Sequence, residues 1–67
     1  MKRNHWLVTE REKRKMTQER VAELAGIERS YYTKIENGTV PSVKVAKRIA
    51  NVFGIDWTRF FESDADR

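Results

Sequence analysis

Residues Thr17–Gly38 read TQERVAELAGIERSYYTKIENG. Thr17 suits a helix start, because its hydroxyl can accept from one of the backbone N–H groups that a first turn leaves unpaired. Helix formers follow over about Gln18–Ala25, with Val21, Leu24 and Ala25 on one face. Gly26 breaks the run. A second helical stretch covers about Glu28–Asn37, and Gly38 then stands where a helix end favours a left-handed residue. Two short helices joined by a glycine turn is the unit from which the rest of the chain is read.

The second helix of this unit has two unlike faces. At about 100° per residue, with Arg29 at zero, Thr33, Asn37, Ser30 and Lys34 fall within roughly 140° of arc. Tyr31, Ile35 and Tyr32 occupy the opposite arc. The polar arc carries two cations and no carboxylate, in a chain with 10 Asp and Glu among 67 residues. Arg forks onto guanine, and Lys, Ser and Thr meet base edges or phosphates, so this is the chemistry of a groove-reading helix. A solvated face of an ordinary bundle helix is the competing explanation, and the missing carboxylate weighs against it.

Working outward, Asn4 reads as the cap of a first helix reaching about Lys15, with Trp6 and Leu7 covering the core. Pro41-Ser42 restarts the chain, Ser42 as cap, and Val45, Ala46, Ile49, Ala50 and Phe53 recur at helical spacing up to Gly54. Asp56 caps a short fifth helix bearing Trp57, Phe60 and Phe61. Nothing alternates with period two. The expected architecture is an all-α, compact five-helix bundle, one domain over residues 1–67 with its core in about 6–61. Three large aromatics exceed what one face of so short a helix needs. Phe60 is assigned inward, and Trp57 or Phe61 to a dimer interface.

Composition narrows the function. The chain has a net charge of +4. Its first twenty residues place Lys2, Arg3, Arg11, Lys13, Arg14, Lys15 and Arg20 against Glu10, Glu12 and Glu19. A basic body invites polyanions, although the Lys2-Arg3 end reads more simply as a frayed terminus than as an arm on DNA. With no cysteine there is no disulfide, thiolate metal site or thiol nucleophile, and the single histidine, His5, excludes a multi-histidine cage. No metal and no cofactor are expected. The longest apolar run, Trp6-Leu7-Val8, is far too short for a membrane span or a signal-peptide core, so a cytoplasmic protein is expected. Ser30, Ser42 and Ser63 have no base nearby in sequence, and there is no glycine-rich phosphate loop, so an enzyme is not expected. Nor is a domain that senses a small molecule expected.

The motifs together resemble a known family. Thr17-Gln18-Glu19-Arg20-Val21-Ala22-Glu23-Leu24-Ala25-Gly26-Ile27 and Ile35-Glu36-Asn37-Gly38, with Pro41-Ser42 and Phe53-Gly54-Ile55 in order behind them, are similar to the Cro-repressor or Xre-like helix-turn-helix family. The likeness spans roughly residues 6 to 61. It implies a lambda-repressor-like fold that binds double-stranded DNA as a homodimer on an inverted-repeat operator. Carried over, Arg29, Ser30 and Lys34, with Thr33 between them, match base-reading positions, and Gln18 and Asn37 match DNA-backbone contacts. Ser42 offers a similar helix start at the fourth helix. Arg11 matches an arginine that pairs with the signature glutamate, here Glu36. Two departures stand out. Glu28 occupies a position where Ser or Thr commonly caps the recognition helix. Lys15 replaces a frequent glycine, implying backbone strain or a different turn. Tyr31 is left open between packing, stacking on a sugar and bonding a phosphate. The resemblance implies a transcriptional regulator, of repressor type. A second reading makes the chain an antitoxin or anti-regulator whose exposed aromatics bind a partner protein.

Overall fold

The computed structural model describes residues 4–62. The Lys2-Arg3 end, Ser63 and the acidic tail lie outside them. Helix α1 spans His5–Lys13, α2 Gln18–Ala25, α3 Arg29–Glu36 and α4 Val43–Phe53. The expected fifth α-helix is instead a five-residue 3₁₀ helix, Trp57–Phe61. The physical reason is length: between its Asp56 cap and Glu62 the segment is too short for a ladder of α-type bonds, and it tightens, with Arg59 N–H donating to Asp56 O at 3.2 Å. There is no strand among the described residues.

Side chains start three of these elements. Thr17 Oγ1 accepts from Arg20 N–H at 3.0 Å, Ser42 Oγ from Val45 N–H at 3.2 Å and Asp56 Oδ1 from Thr58 N–H at 3.0 Å. Asn4 departs from its expected role. Its side chain makes no cap bond to α1. Its Nδ2 donates to Ile35 O at 2.6 Å and its backbone N–H to Glu36 O at 3.1 Å. The last carbonyls of α3 have no partner within their own helix, and Asn4 answers them from across the fold.

All four α-helices close with the same hydrogen bond, an N–H reaching back five residues. The pairs are Met16 to Arg11, Ile27 to Ala22, Thr39 to Lys34 and Ile55 to Ala50, at 2.9–3.2 Å. This closure puts the residue before the donor at positive φ. Glycine fills that place after α2, α3 and α4; after α1 it is Lys15, at φ 57°. A left-handed non-glycine residue costs about 1–2 kcal/mol, part of which glycine gives back through its larger unfolded-state entropy. Lys15→Gly is therefore expected to stabilise the domain by about 1 kcal/mol, raising Tm by roughly 4–8 °C in a thermal melt. A lower Tm would contradict the strain.

Helix α2 packs on α3 and α4, the 3₁₀ helix on α4, and α1 on α3. The core is Leu7, Val21, Ala22, Ala25, Tyr32, Ile35, Ile49 and Phe53, with Phe60, Tyr31 and others packed against it. Leu24 does not join this face. It is 48% exposed, and Ala22 is buried in its place. On the α2 wheel Val21, Ala25 and Ala22 span about 100°, which puts Leu24 on the flank of that arc.

Helix α1 buries only Leu7, packs Trp6 against the core, and is held further by polar contacts. Arg14 Nη2 donates to Phe53 O at the end of α4, at 2.8 Å. Arg59 Nη1 donates to Glu10 Oε2 at 3.3 Å and stacks over Trp6, whose ring meets Phe60 edge-on at 4.9 Å. These contacts tie the 3₁₀ helix to α1.

Candidate nucleic-acid interface

Helix α3 divides as its wheel requires. Tyr32 and Ile35 are buried; Arg29, Ser30, Lys34 and Asn37 are exposed. Tyr31 is half-buried and packs against the core. Thr33 is half-buried. Gln18, the first residue of α2, links the two ends of α3. It shares one shallow cleft with Arg29, Thr17 and Arg11, and a second with Asn37, Glu36 and His5. Ser42 stands apart at the start of α4, its oxygen engaged in capping. Glu28 adopts an extended backbone ahead of α3 and makes no side-chain cap bond.

Beneath the exposed arc lies a polar chain. Arg11 Nε donates to Glu36 Oε2 at 2.7 Å, with Nη2 at 3.4 Å from Oε1, while Arg11 Nη1 donates to Met16 O at 2.9 Å. Gln18 Nε2 donates to Glu36 Oε1 at 2.8 Å, and Thr33 Oγ1 donates to Gln18 Oε1 at 3.1 Å. The Glu36 side chain is only 4% exposed and that of Arg11 15%. Arginine suits such a place because its fork meets a carboxylate with two parallel donors. The Tyr32 hydroxyl is buried and without a hydrogen-bond partner among the described residues. Burial, and then Glu36, push that phenol up.

Burial by itself raises the Glu36 carboxyl, but hydrogen bonds from Arg11 and Gln18 and the Arg11 charge outweigh it and hold the pKa below its ordinary 4.5. A pKa lowered by folding stabilises the native state above the unfolded value, and that contribution fades as pH falls through the folded value. Stability measured by urea denaturation is thus expected to be flat above about pH 5 and to drop below 4.5. Glu36→Gln should remove much of the slope. Glu10, held low by Arg14 above all, and Asp56, held low by the Thr58 backbone N–H, keep a remainder. An unchanged acid slope in Glu36→Gln would contradict this assignment.

The aromatic end lies elsewhere. Trp57 and Phe61 meet edge-on at 6.0 Å, and the Lys47 ammonium lies 5.1 Å from the Trp57 ring centre. Among the described residues no group of three or more His, Asp or Glu side chains could hold a metal ion, and no helix is long and apolar enough to cross a membrane.

Sequence reading missed Asn4, Glu10 and Arg14 as clasps between elements, because a partner 31 to 49 residues away leaves no local signal. It also missed the Thr33–Gln18 bond, since both residues look like free polar groups along the chain.

The sequence profile of the helix-turn-helix family matches residues 7–60. The chain belongs to the Cro/Xre-like helix-turn-helix family. It is 55% identical over 58 residues to an uncharacterized HTH-type transcriptional regulator, YqaF, of Bacillus subtilis strain 168, an alignment covering 85% of this chain and 76% of that protein. No solved structure matches the chain. In this helix-turn-helix protein α2 and α3 are the paired helices, the Gly26 turn joins them, and the exposed arc of α3 is the candidate reading face.

Proposed function

We propose that the protein is a sequence-specific double-stranded DNA-binding regulator, a repressor, acting as a homodimer on an inverted-repeat operator. The observation that carries this reading is the exposed Arg29–Ser30–Lys34 arc of α3, free of carboxylates and anchored from below by buried Tyr32 and Ile35. In this reading α3 enters the major groove, Arg29 reads a base, with Ser30 and Lys34 beside it, and Gln18, Asn37 and Ser42 meet phosphates. The name of the Bacillus subtilis relative supports the regulator class.

The test is to titrate the isotope-labelled protein with duplex DNA and follow its amide resonances. Shifts are expected at Gln18, Arg29, Ser30, Lys34, Asn37 and Ser42, and not at the Leu24, Arg48 and Asn51 surface between α2 and α4. Shifts confined to the 3₁₀ helix would contradict the reading.

The dimer is assigned to one strip. Val43, 47% exposed, and Lys47 lie one turn apart on α4, Trp57 sits against Lys47, and Phe61, 40% exposed, meets Trp57. With this strip as the two-fold contact, the two α3 helices are to lie about one turn of DNA, ≈ 34 Å, apart. Trp57→Ala with Phe61→Ala is expected to yield monomers in sedimentation at micromolar concentration. A fully dimeric double variant would remove these residues from the self-interface and favour the partner-protein reading.

A further inference from the structure

The contacts around Gln18 give Thr33 a task other than touching a base. The Gln18 carboxamide lies between two α3 residues nearly one turn apart, with its nitrogen on Glu36 and its oxygen on Thr33, at 2.8 and 3.1 Å. A carboxamide has donors on one side and an acceptor on the other. Glu36, ionised by its pairing with Arg11, can only accept. The nitrogen must therefore face it, and the Thr33 hydroxyl, able to donate, takes the oxygen. Turning the amide over would place its oxygen against the carboxylate. With one Nε2 hydrogen on Glu36, the other remains, and it is a donor. That is the polarity a phosphate oxygen requires, at the start of α2 where backbone N–H groups are also unpaired.

We propose that Thr33 is a positioning residue: with Glu36 it fixes the Gln18 carboxamide so that a free N–H is presented to the DNA backbone. This rests on the DNA-binding reading above and replaces the assignment of Thr33 as a base reader. The Thr33 proton is committed to Gln18, and its side chain is half-buried, unlike those of Arg29, Ser30 and Lys34.

The test compares wild type, Thr33→Val, Thr33→Ser, Gln18→Ala and the Thr33→Val/Gln18→Ala double variant. Each is measured on a selected operator and on its single-base-pair variants. Thr33→Val is expected to lose roughly 3- to 10-fold in affinity, the loss of one hydrogen bond, equally on every operator variant. Thr33→Ser should restore it, and Thr33→Val should cost nothing further once Gln18 is alanine. A changed preference at one base pair, full affinity in Thr33→Val, or losses that multiply in the double variant would each overturn the proposal. A measurement without DNA separates its failure from that of the DNA-binding reading. In the free protein the Gln18 side-chain amide should have a high ¹⁵N order parameter that falls in Thr33→Val. A freely rotating amide in wild type would overturn the proposal whatever the protein binds.

Discussion

Arg11→Ala is expected to lower unfolding free energy by about 3–5 kcal/mol, the usual cost of removing one partner from a buried ion pair. The size follows from what is left behind. Glu36, 4% exposed beside Arg11, keeps one hydrogen bond from Gln18 and loses both contacts from the guanidinium. The Met16 carbonyl also loses its side-chain donor, at the turn already strained by Lys15. At about 0.05–0.15 kcal/mol per residue, a chain of this length holds roughly 3–10 kcal/mol in all, so the variant sits near the edge of folding. Arg11→Lys keeps the charge without the fork and should fall between alanine and wild type. The measurement is thermal or urea unfolding followed by circular dichroism. An unchanged Tm in Arg11→Ala would show that the pair contributes little.

The second large effect is on binding. Arg29→Ala should cost about 1–3 kcal/mol on the cognate operator, a loss of roughly 5- to 150-fold, and relax preference at one base pair. The residue is exposed at the first turn of α3 and appears in no ion pair among the described residues, so its removal leaves the fold intact. Titration of labelled operator and of its point variants checks this. Uniform weakening on all sequences would make Arg29 a phosphate contact instead.

Local chemistry made α2, the Gly26 turn and α3 readable from the chain. Thr17, Gly26 and Gly38 are punctuation whose effect is confined to a few residues, and the division of α3 into polar and apolar arcs follows from helical spacing alone. Lys15 was readable only through the family resemblance, as a side chain standing where that family often has glycine. Other features depend on residues distant in sequence. Asn4 has the right chemistry for a cap but meets a stronger demand at the end of α3. Leu24 lies on the flank of an arc that three neighbours already fill. The final aromatic segment carries helical spacing but lacks the length for an α-helix. The polar contacts of α1 run through Glu10, Arg11 and Arg14, and such side chains read equally well as a solvated face. At the candidate site the exposed cations were legible. The bonds that orient Gln18 were not, because they join α2 to the far end of α3.

Whether this surface reads sequence is decided by selection from a random pool of duplex DNA, with the winner's affinity measured at two salt concentrations. The expected result is an enriched inverted repeat with half-sites about one helical turn apart, which binds in the presence of excess bulk DNA. An affinity that falls steeply with salt and enriches no sequence would contradict it, leaving only a basic surface that meets phosphates.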